Sequence, residues 1–302
     1  MSCVEKNVSR INTDANAEGL YPSKVWSLQQ QRACCETASL AMMPPTIVDY
    51  FPQANGDGLK VIWEHAVNSK ARLSSALRGP GMVLEGDVSM GANGRYPVPV
   101  MAHPPVLSSD LTLDEWLHEL LLCGTKGVKL DFKSTEVVEP ACRILARFVD
   151  KFRGPVILNA DVLPGPDCSV MPPVDAWTFL TLCRTRFPRA IISLGWTTDD
   201  ASCIKMGYTR EMVESMGALV REYNLGQPVT FPVWLPLARR SLGDLQRLLA
   251  QVPRSSLTVF ARPGPPRAAA LPDLAALRSA FSPSLVYYDL PHDLLQAFLP
   301  LC

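Results

Sequence analysis

Between residue 57 and the C-terminus, short apolar runs of β-type residues alternate eight times with helical patterns. A regular alternation of this kind predicts a parallel sheet, because each helix returns the chain to the end where the next strand starts. Eight units in about 250 residues are typical of a (β/α)8 barrel. The expected strands are 59–66, 82–88, 127–132, 155–161, 190–196, 227–233, 257–262 and 285–290, with an inserted strand or hairpin at 97–102. The expected helices are 68–78, 111–123, 135–152, 173–187, 208–224, 237–251, 270–280 and 291–300.

A doubly wound open sheet is the alternative fold. It would carry a glycine-rich phosphate loop after its first strand, and no such loop follows residues 59–66. We therefore expect a TIM barrel over residues 57–302. An irregular, loosely packed N-terminal arm over residues 1–56 should precede it and end in a short helix near 47–51. The turn residues 55–58, Asn-Gly-Asp-Gly, mark the boundary.

Charge and composition narrow the range of partners. The formal net charge is zero and the pI is about 6.9, so there is no global basic field to hold a long nucleic-acid duplex. The sequence has no run of 18 apolar residues, which argues against stable membrane insertion. Nine scattered cysteines without zinc-ligand spacing, and no apolar signal-peptide core, predict free thiols and an intracellular location. The cytoplasm is the expected compartment, with the mitochondrion as the alternative, and the oligomeric state is left open.

Two carboxylates interrupt the second expected strand. Glu85 and Asp87 are two residues apart, so both project from one face of a strand, roughly 6–7 Å from each other. Acids paired on an otherwise apolar strand are unfavourable unless a cation lies between them. Oxygen ligands favour a hard divalent ion such as Mg²⁺, Ca²⁺ or Mn²⁺. The second strand therefore predicts a metal site.

The third expected strand alternates in the same way. Lys129, Asp131 and Lys133 share one face, and the apolar residues between them share the other. A solvated edge strand can also show this pattern. In a barrel, however, the apolar face must meet the helices, so the charged face points into the barrel beside the second strand. Asp131 is therefore expected to join the two acids as a metal ligand.

Further polar residues fall at the ends of the expected strands, where barrel enzymes keep their active sites. Two of the four histidines, His65 and His103, lie there beside the acids. A single histidine at such a place is more often structural, but a pair beside carboxylates favours proton transfer near neutral pH. Core packing is the plainer reading of each aromatic ring, although a ring could also stack on substrate. The expected substrate contacts are Asn68, Lys129, Asn159, Trp196 and Tyr288.

Seven runs in order resemble the menorin family, over about residues 57–291. They are 63–69, 84–88, 101–105, 129–133, 159–161, 193–198 and 287–291. The menorin domain is in turn similar to glycerophosphodiester phosphodiesterases and phospholipase-C-like barrels. Three positions depart from the pattern: Gly86 replaces an alanine, Pro104 replaces an acid, and Asp131 replaces a glutamate. The resemblance implies a phospholipase-C-like barrel whose site comprises His65, Glu85, Asp87, His103, Asp131 and Lys133.

Two functional hypotheses follow. The first is a divalent-metal-dependent phosphodiesterase in which the three acids hold the ion, Lys133 faces the phosphate and the two histidines move protons. Its expected substrate is a short RNA or nucleotide phosphodiester, because no exposed apolar hairpin is recognisable and two rings are available for stacking. A glycerophosphodiester or lysophospholipid is the alternative substrate. The second hypothesis is a barrel without turnover that acts as a binding scaffold.

Overall fold

The computed structural model describes residues 45–302 except 94–95, 167–170, 199–205 and 263–266. Its strands are β1 Trp63–Glu64, β2 Val83–Asn93, β3 Tyr96–Met101, β4 Gly127–Phe132, β5 Val156–Leu163, β6 Ile191–Trp196, β7 Val229–Trp234, β8 Ser255–Phe260 and β9 Val286–Asp289. Its helices are α1 Lys70–Arg78, α2 Leu113–Cys123, α3 Thr135–Leu145, α4 Ala176–Arg186, α5 Arg210–Glu222, α6 Leu235–Arg240, α7 Leu242–Gln251, α8 Arg267–Ala280 and α9 His292–Phe298. All strands except β3 are parallel and adjacent in the order β1-β2-β4-β5-β6-β7-β8-β9, a nearly closed barrel. The expected (β/α)8 fold is confirmed.

Alternation along each strand divides the core into two layers. On β4, Val128, Leu130 and Phe132 are buried against the helices, whereas Lys129 points into the barrel. On the outer face of β2, Gly86 lies beneath Trp116, and a Cβ there would come within 2.3 Å of Met101 Cε. Alanine, which the resemblance predicts here, would therefore require the end of the Met101 side chain to shift.

A second apolar cluster closes the amino-terminal base of the barrel. It joins the strand residues Trp63, Val83, Ile157, Ile191 and Tyr287 to Ile47, Phe51, Ala54 and Val61. Residues 45–56 are therefore not loosely packed as expected: Ile47 is 1% exposed and Phe51 is 4% exposed. They form the short 3-10 helices Ile47–Tyr50 and Pro52–Ala54, and the first of these coincides with the short helix expected near 47–51. Residues 1–44 of the arm lie outside the described residues, and the domain boundary at residue 57 stays a prediction.

One expected helix, 237–251, is divided into α6 and α7 at Ser241. The Ser241 hydroxyl accepts a hydrogen bond from Tyr208 N at 2.6 Å and donates one to Leu237 O at 2.8 Å. A serine that bonds the backbone in this way competes with the helical hydrogen-bond ladder. The break is therefore local chemistry that the apolar period does not reveal.

The second strand is longer than expected and forms a hairpin with β3. Its register with β4 ends at Val88, so residues 89–93 extend beyond the barrel by roughly 16 Å. Pro97 and Pro99 lie on β3, whose outer edge is used by the bond from Met101 N to Leu111 O. Because proline has no N–H, these two residues remove donors from that edge and disfavour pairing with another strand.

Two expectations from the sequence concern membrane insertion and the state of the cysteines. No helix in the described part of the chain is long and apolar enough to cross a membrane. Four cysteines in that part are free thiols, namely Cys123, Cys142, Cys183 and Cys302. The other five cysteines of the sequence lie outside the described residues or carry no described side chain.

A bidentate ion pair fastens the base of the barrel to α8. Arg278 donates to Asp57 Oδ1 at 2.7 Å and to Oδ2 at 2.6 Å, and Leu59 N donates to Oδ1 at 3.0 Å. Burial alone would raise the pKa of Asp57, but the hydrogen bonds and charge of Arg278 hold it below its usual value. The carboxylate form of Asp57 therefore stabilises the fold.

Asp57→Asn is expected to lower the free energy of unfolding by about 1–2 kcal/mol at neutral pH. Because the pKa of Asp57 is lower in the fold than in the unfolded chain, this contribution is present above about pH 4 and is lost as the pH falls through the folded value. Urea denaturation at neutral pH and near pH 3 should show the difference from wild type shrinking in acid. The exposed acid Asp150 supplies the control variant Asp150→Asn. A difference that does not change with pH would contradict the ion-pair explanation.

Candidate active site

The strand register brings four polar side chains into one layer near the carboxyl ends of the strands. Asp87 on β2 lies opposite Asp131 on β4. Asp131 lies opposite Asn159 on β5, and Asn159 lies opposite Ser193 on β6. Ser193 Oγ donates to Asn159 Oδ1 at 2.5 Å, and Asn159 Nδ2 donates to Asp131 Oδ1 at 2.6 Å. Asn159, expected as a substrate contact, thus lines the cavity and also orients an acid.

Three carboxylates meet in this layer and the one beneath it. Glu85, Asp87 and Asp131 each offer an oxygen atom, and these atoms lie within 4.8 Å of one another. Asn68 fixes Asp87 from both sides, since its amide donates to Oδ2 at 2.6 Å and its side-chain oxygen accepts from Asp87 N at 2.9 Å. The structure therefore brings the three expected metal ligands together. Asn68 holds one of these ligands, Asp87, in place through its two hydrogen bonds.

Glu85 is the most enclosed of the three acids, with no exposed surface. Its Oε2 accepts a hydrogen bond from Ala66 N at 2.7 Å, where Ala66 takes a left-handed φ of 52° after β1. Its Oε1 is buried and has no hydrogen-bond partner. Burial, and then the nearby acids, raise the pKa of Glu85 to about 7 against the opposing charges of His65 and Lys129. An oxygen left unpaired in this way is destabilising by about 1–3 kcal/mol, and a bound cation would satisfy it.

Lys133 lies among the acids. Its Nζ is 2.9 Å from Asp87 Oδ1 and 2.5 Å from Asp131 Oδ2. Burial works against the charge of the lysine, but the two carboxylates outweigh it and keep the pKa of Lys133 well above its usual value. The side chain also lines the cavity above the cluster. A fixed ammonium therefore faces the space where a substrate anion would lie.

Asp289, at the end of β9, was not among the expected site residues. Its Oδ2 is 3.2 Å from His65 Nδ1 and 3.4 Å from Lys129 Nζ, and Lys129 also lies over the Trp63 ring, 5.7 Å from its centroid. Burial alone would raise the pKa of Asp289, but the charges of His65 and Lys129 lower it to about 2. The signal was present in the sequence, because Asp289 alternates with the inward-facing Tyr287.

The two histidines present different surroundings. His65 Nδ1 lies 3.4 Å from Glu85 Oε2, and the carboxylates of Glu85 and then Asp289 raise the pKa of His65 to about 10. His103 Nδ1 lies 2.6 Å from Pro104 O. A carbonyl oxygen accepts only, so this nitrogen carries the proton and Nε2 is the acceptor when the ring is neutral. Both rings line the same cavity.

The cavity above the acids has a volume of about 600 Å³, which suits a ligand considerably larger than a phosphate group. Its polar wall comes from the early strands and the loops after them. This wall includes His65, Asp87, His103, Lys129, Asp131 and Lys133. Much of the remaining wall is apolar, including Pro104, Pro105, Met171, Val174, Pro232 and Phe260.

The two expected stacking rings do not line this cavity. Trp196 is 2% exposed and Tyr288 is 1% exposed. Trp196 packs on Tyr208 with 4.9 Å between ring centroids, and Tyr288 packs on Phe298 with 5.9 Å. Because Asp289 faces inward, the preceding Tyr288 must face the helices, and the same alternation turns Trp196 outward. Their expected role as substrate contacts is corrected.

Arg262, which follows β8, is a cavity residue that was not expected. Its guanidinium lies 4.7 Å from the centroid of the Trp234 ring and donates to Thr198 O at 2.5 Å. In the strand order β8 lies across the barrel from β4, so this cation faces the acids from the opposite wall. A single arginine at a strand end carries no spacing signal, so sequence alone could not identify it.

These features define the class of protein: a (β/α)8 barrel with a buried acidic cluster at the carboxyl ends of its strands. The sequence matches the model of the Menorin N-terminal domain over residues 57–295. The chain belongs to the menorin family, and the resemblance found in the sequence is confirmed. It is 40% identical over 236 residues to Protein FAM151B of Homo sapiens, an alignment that covers 78% of this chain and 83% of that protein.

Among solved structures, the chain is similar to a glycerophosphodiester phosphodiesterase from Parabacteroides distasonis. The TM-score is 0.48 at 11% sequence identity, over 81% of this chain and 98% of the other. A likeness of this degree carries no argument about activity.

Proposed function

We propose that the protein is a divalent-metal-dependent phosphodiester hydrolase. The observation that carries this proposal is the buried cluster of Glu85, Asp87 and Asp131, in which Glu85 Oε1 has no hydrogen-bond partner. The cluster underlies a cavity that also holds two histidines and Lys133. Acids, a fixed ammonium and a histidine pair together are what phosphodiester cleavage requires.

The residues present fit a hard divalent cation. Three carboxylates with oxygens within 4.8 Å of one another are a donor set suited to Mg²⁺, Ca²⁺ or Mn²⁺. Counting Asp289, the four carboxylates also outnumber the three cationic groups that lie among them, Lys129, Lys133 and protonated His65. A cation would offset the excess negative charge. When bound, it would polarise a phosphoryl oxygen as a Lewis acid.

The side chains supply the remaining chemistry. Lys133 would place its charge against a non-bridging phosphoryl oxygen. His103 Nε2 would accept the proton of the attacking hydroxyl or water as the new P–O bond forms. His65, whose Nδ1 faces two carboxylates, would donate a proton to the leaving oxygen as the old P–O bond breaks. Asp289 would hold His65 in place.

The cavity favours an ester with an apolar part over a nucleotide. The preference for a short RNA depended on two stacking rings and on the absence of an apolar hairpin. Trp196 and Tyr288 instead belong to the outer core. The β2–β3 hairpin carries Tyr96 with 74% of its surface exposed. A lysophospholipid, or another glycerophosphodiester that carries an apolar group, is thus the substrate class that we propose.

Turnover of a phosphodiester panel by the full chain tests this proposal. The panel should contain bis(4-nitrophenyl) phosphate, glycerophosphocholine and a diribonucleotide, each with Mg²⁺, Ca²⁺, Mn²⁺ or EDTA. We expect metal-dependent release of product that disappears in Glu85→Gln and persists in Glu119→Gln, whose parent residue is exposed on α2. Metal binding without turnover of any phosphodiester would contradict hydrolysis and support a binding scaffold.

A further inference from the structure

Exposed hydrophobic side chains are concentrated at one end of the barrel. Ten large hydrophobic residues are exposed in the described part of the chain, and six of them lie on segments at the carboxyl ends of the strands. We call these six the rim. The rim consists of Tyr96 (74% exposed), Val106 (59%), Leu107 (47%), Met171 (42%), Trp177 (66%) and Met206 (54%).

Local contacts fix the rim to the end that carries the cavity. Tyr96 starts β3 at the far end of the hairpin, and the chain near Leu107 contacts that hairpin, since a Cβ on Gly91 would meet Leu107 O at 2.5 Å. Trp177 is the second residue of α4, and a helix that follows a strand begins at the carboxyl end of the sheet. The other four exposed residues lie at the opposite end, where Leu122 is in the last turn of α2, Leu285 precedes β9, and Leu299 and Leu301 follow α9.

Three of the six rim residues adjoin the apolar wall of the cavity. Met171 belongs to both, and Pro104 and Pro105 of that wall directly precede Val106 and Leu107. An apolar path therefore leads from the outer surface to the acids. Exposed apolar surface beside a ligand cavity often marks a site of interaction.

The charges inside the cavity indicate what kind of ligand would bind there. Inside the mouth, Lys133 and Arg262 lie on opposite walls, and together with a divalent cation on the three acids they would complement an anionic phosphodiester. An aliphatic chain attached to that phosphodiester would lie on prolines and Met171, and each CH₂ removed from water stabilises the complex by about 0.8 kcal/mol. A protein partner seated on the rim would cover the mouth but would leave the apolar wall behind it unfilled.

We propose that the rim seats the barrel on a lipid surface, with the cavity facing the lipid, so that it receives phosphodiesters that carry an aliphatic chain. This inference rests on the proposed hydrolase activity. Exposed tryptophan, tyrosine and leucine are the residues that partition into a membrane interface. Seating of this kind needs no helix that spans the bilayer.

The test compares two matched double variants of the full chain. Leu107→Ser with Trp177→Ser alters the rim, and Leu122→Ser with Leu301→Ser alters residues of similar exposure at the other end. Co-sedimentation is measured with phosphatidylcholine vesicles that contain lysophosphatidylcholine. Hydrolysis of long-chain lysophosphatidylcholine, as micelles and in the vesicles, is compared with that of glycerophosphocholine. Circular dichroism confirms that both variants fold.

We expect the rim variant to lose vesicle binding and long-chain turnover by about tenfold or more, a change of about 1.4 kcal/mol. It should keep its turnover of glycerophosphocholine, and the control variant should match wild type in every assay. Equal vesicle binding by wild type and the rim variant would overturn the inference. The inference would also be overturned if wild type hydrolysed glycerophosphocholine or the diribonucleotide better than the long-chain lipid. The hydrolase proposal would stand in that case. No turnover of any phosphodiester would overturn both.

Discussion

Replacing His103 by alanine is expected to lower kcat by about 10²–10⁴-fold on whichever phosphodiester the wild type hydrolyses best. The ring lines the cavity beside the acids, and its Nδ1 is bonded to Pro104 O, so Nε2 is the nitrogen available to accept a proton. The side chain is exposed and packs in no core cluster. Truncation should therefore remove chemistry while leaving the melting temperature close to that of wild type.

Steady-state kinetics and thermal denaturation of the same preparations test this expectation. His118 is an exposed histidine on α2 that does not line the cavity, so His118→Ala is a matched control and should keep full activity. A proton-transfer role predicts a loss in kcat with little change in KM. A fall in melting temperature that accounts for the lost turnover, or equal losses in both variants, would make His103 structural.

The barrel could be predicted because its signal is repeated. Eight strand patterns alternate with helical patterns, so one ambiguous segment could not change the fold class. The face of each strand was also readable, because the two acids on 82–88 are two residues apart and the three charged residues on 127–133 alternate with apolar ones. This alternation of side chains between the two faces of a strand is enough to place Glu85, Asp87 and Asp131 inside the barrel.

The alternation along a strand does not determine which residues of neighbouring strands lie opposite each other. The stagger between β4, β5 and β6 places Asn159 beside Asp131 and Ser193 beside Asn159, and that stagger is a property of the closed sheet. Asn68 likewise bonds Asp87 across 19 residues of sequence. The roles of these amides in holding acids, as opposed to contacting substrate directly, could not be read from spacing.

Other differences have separate physical causes. Trp196 was expected at the cavity, but the alternation along its own strand turns it outward into the core, and that alternation is readable from the sequence. Residues 45–56 pack on the base of the barrel, and their short 3-10 helices show no sustained period from which this packing could be predicted. The exposed hairpin arises because β2 continues past Val88, and strand ends are the least regular part of an apolar pattern.

Asp87→Asn is expected to abolish the stabilisation that Mg²⁺, Ca²⁺ or Mn²⁺ gives to the fold. In wild type, an ion at 100 times its dissociation constant should raise the free energy of unfolding by about 2.7 kcal/mol. Asparagine keeps an oxygen that can accept from Asn68 but loses the charge that, with Glu85 and Asp131, would hold the ion. Thermal denaturation of both proteins with each ion and with EDTA measures the difference.

The metal-free proteins provide the internal check on this prediction. Asp87→Asn removes the ion pair from Lys133 to Asp87, but Lys133 keeps Asp131 at 2.5 Å. It also removes a charge that repels Glu85 and Asp131, whose oxygens lie within 4.8 Å of its own. These two effects oppose each other, so the melting temperatures of Asp87→Asn and wild type should be close in EDTA and should diverge when metal is added. The variant Asp150→Asn, at an exposed site, should match wild type under both conditions. If Asp87→Asn responds to all three ions as wild type does, the cluster is not the metal site, and the acids must then be neutralised by Lys133, Lys129 and His65 alone.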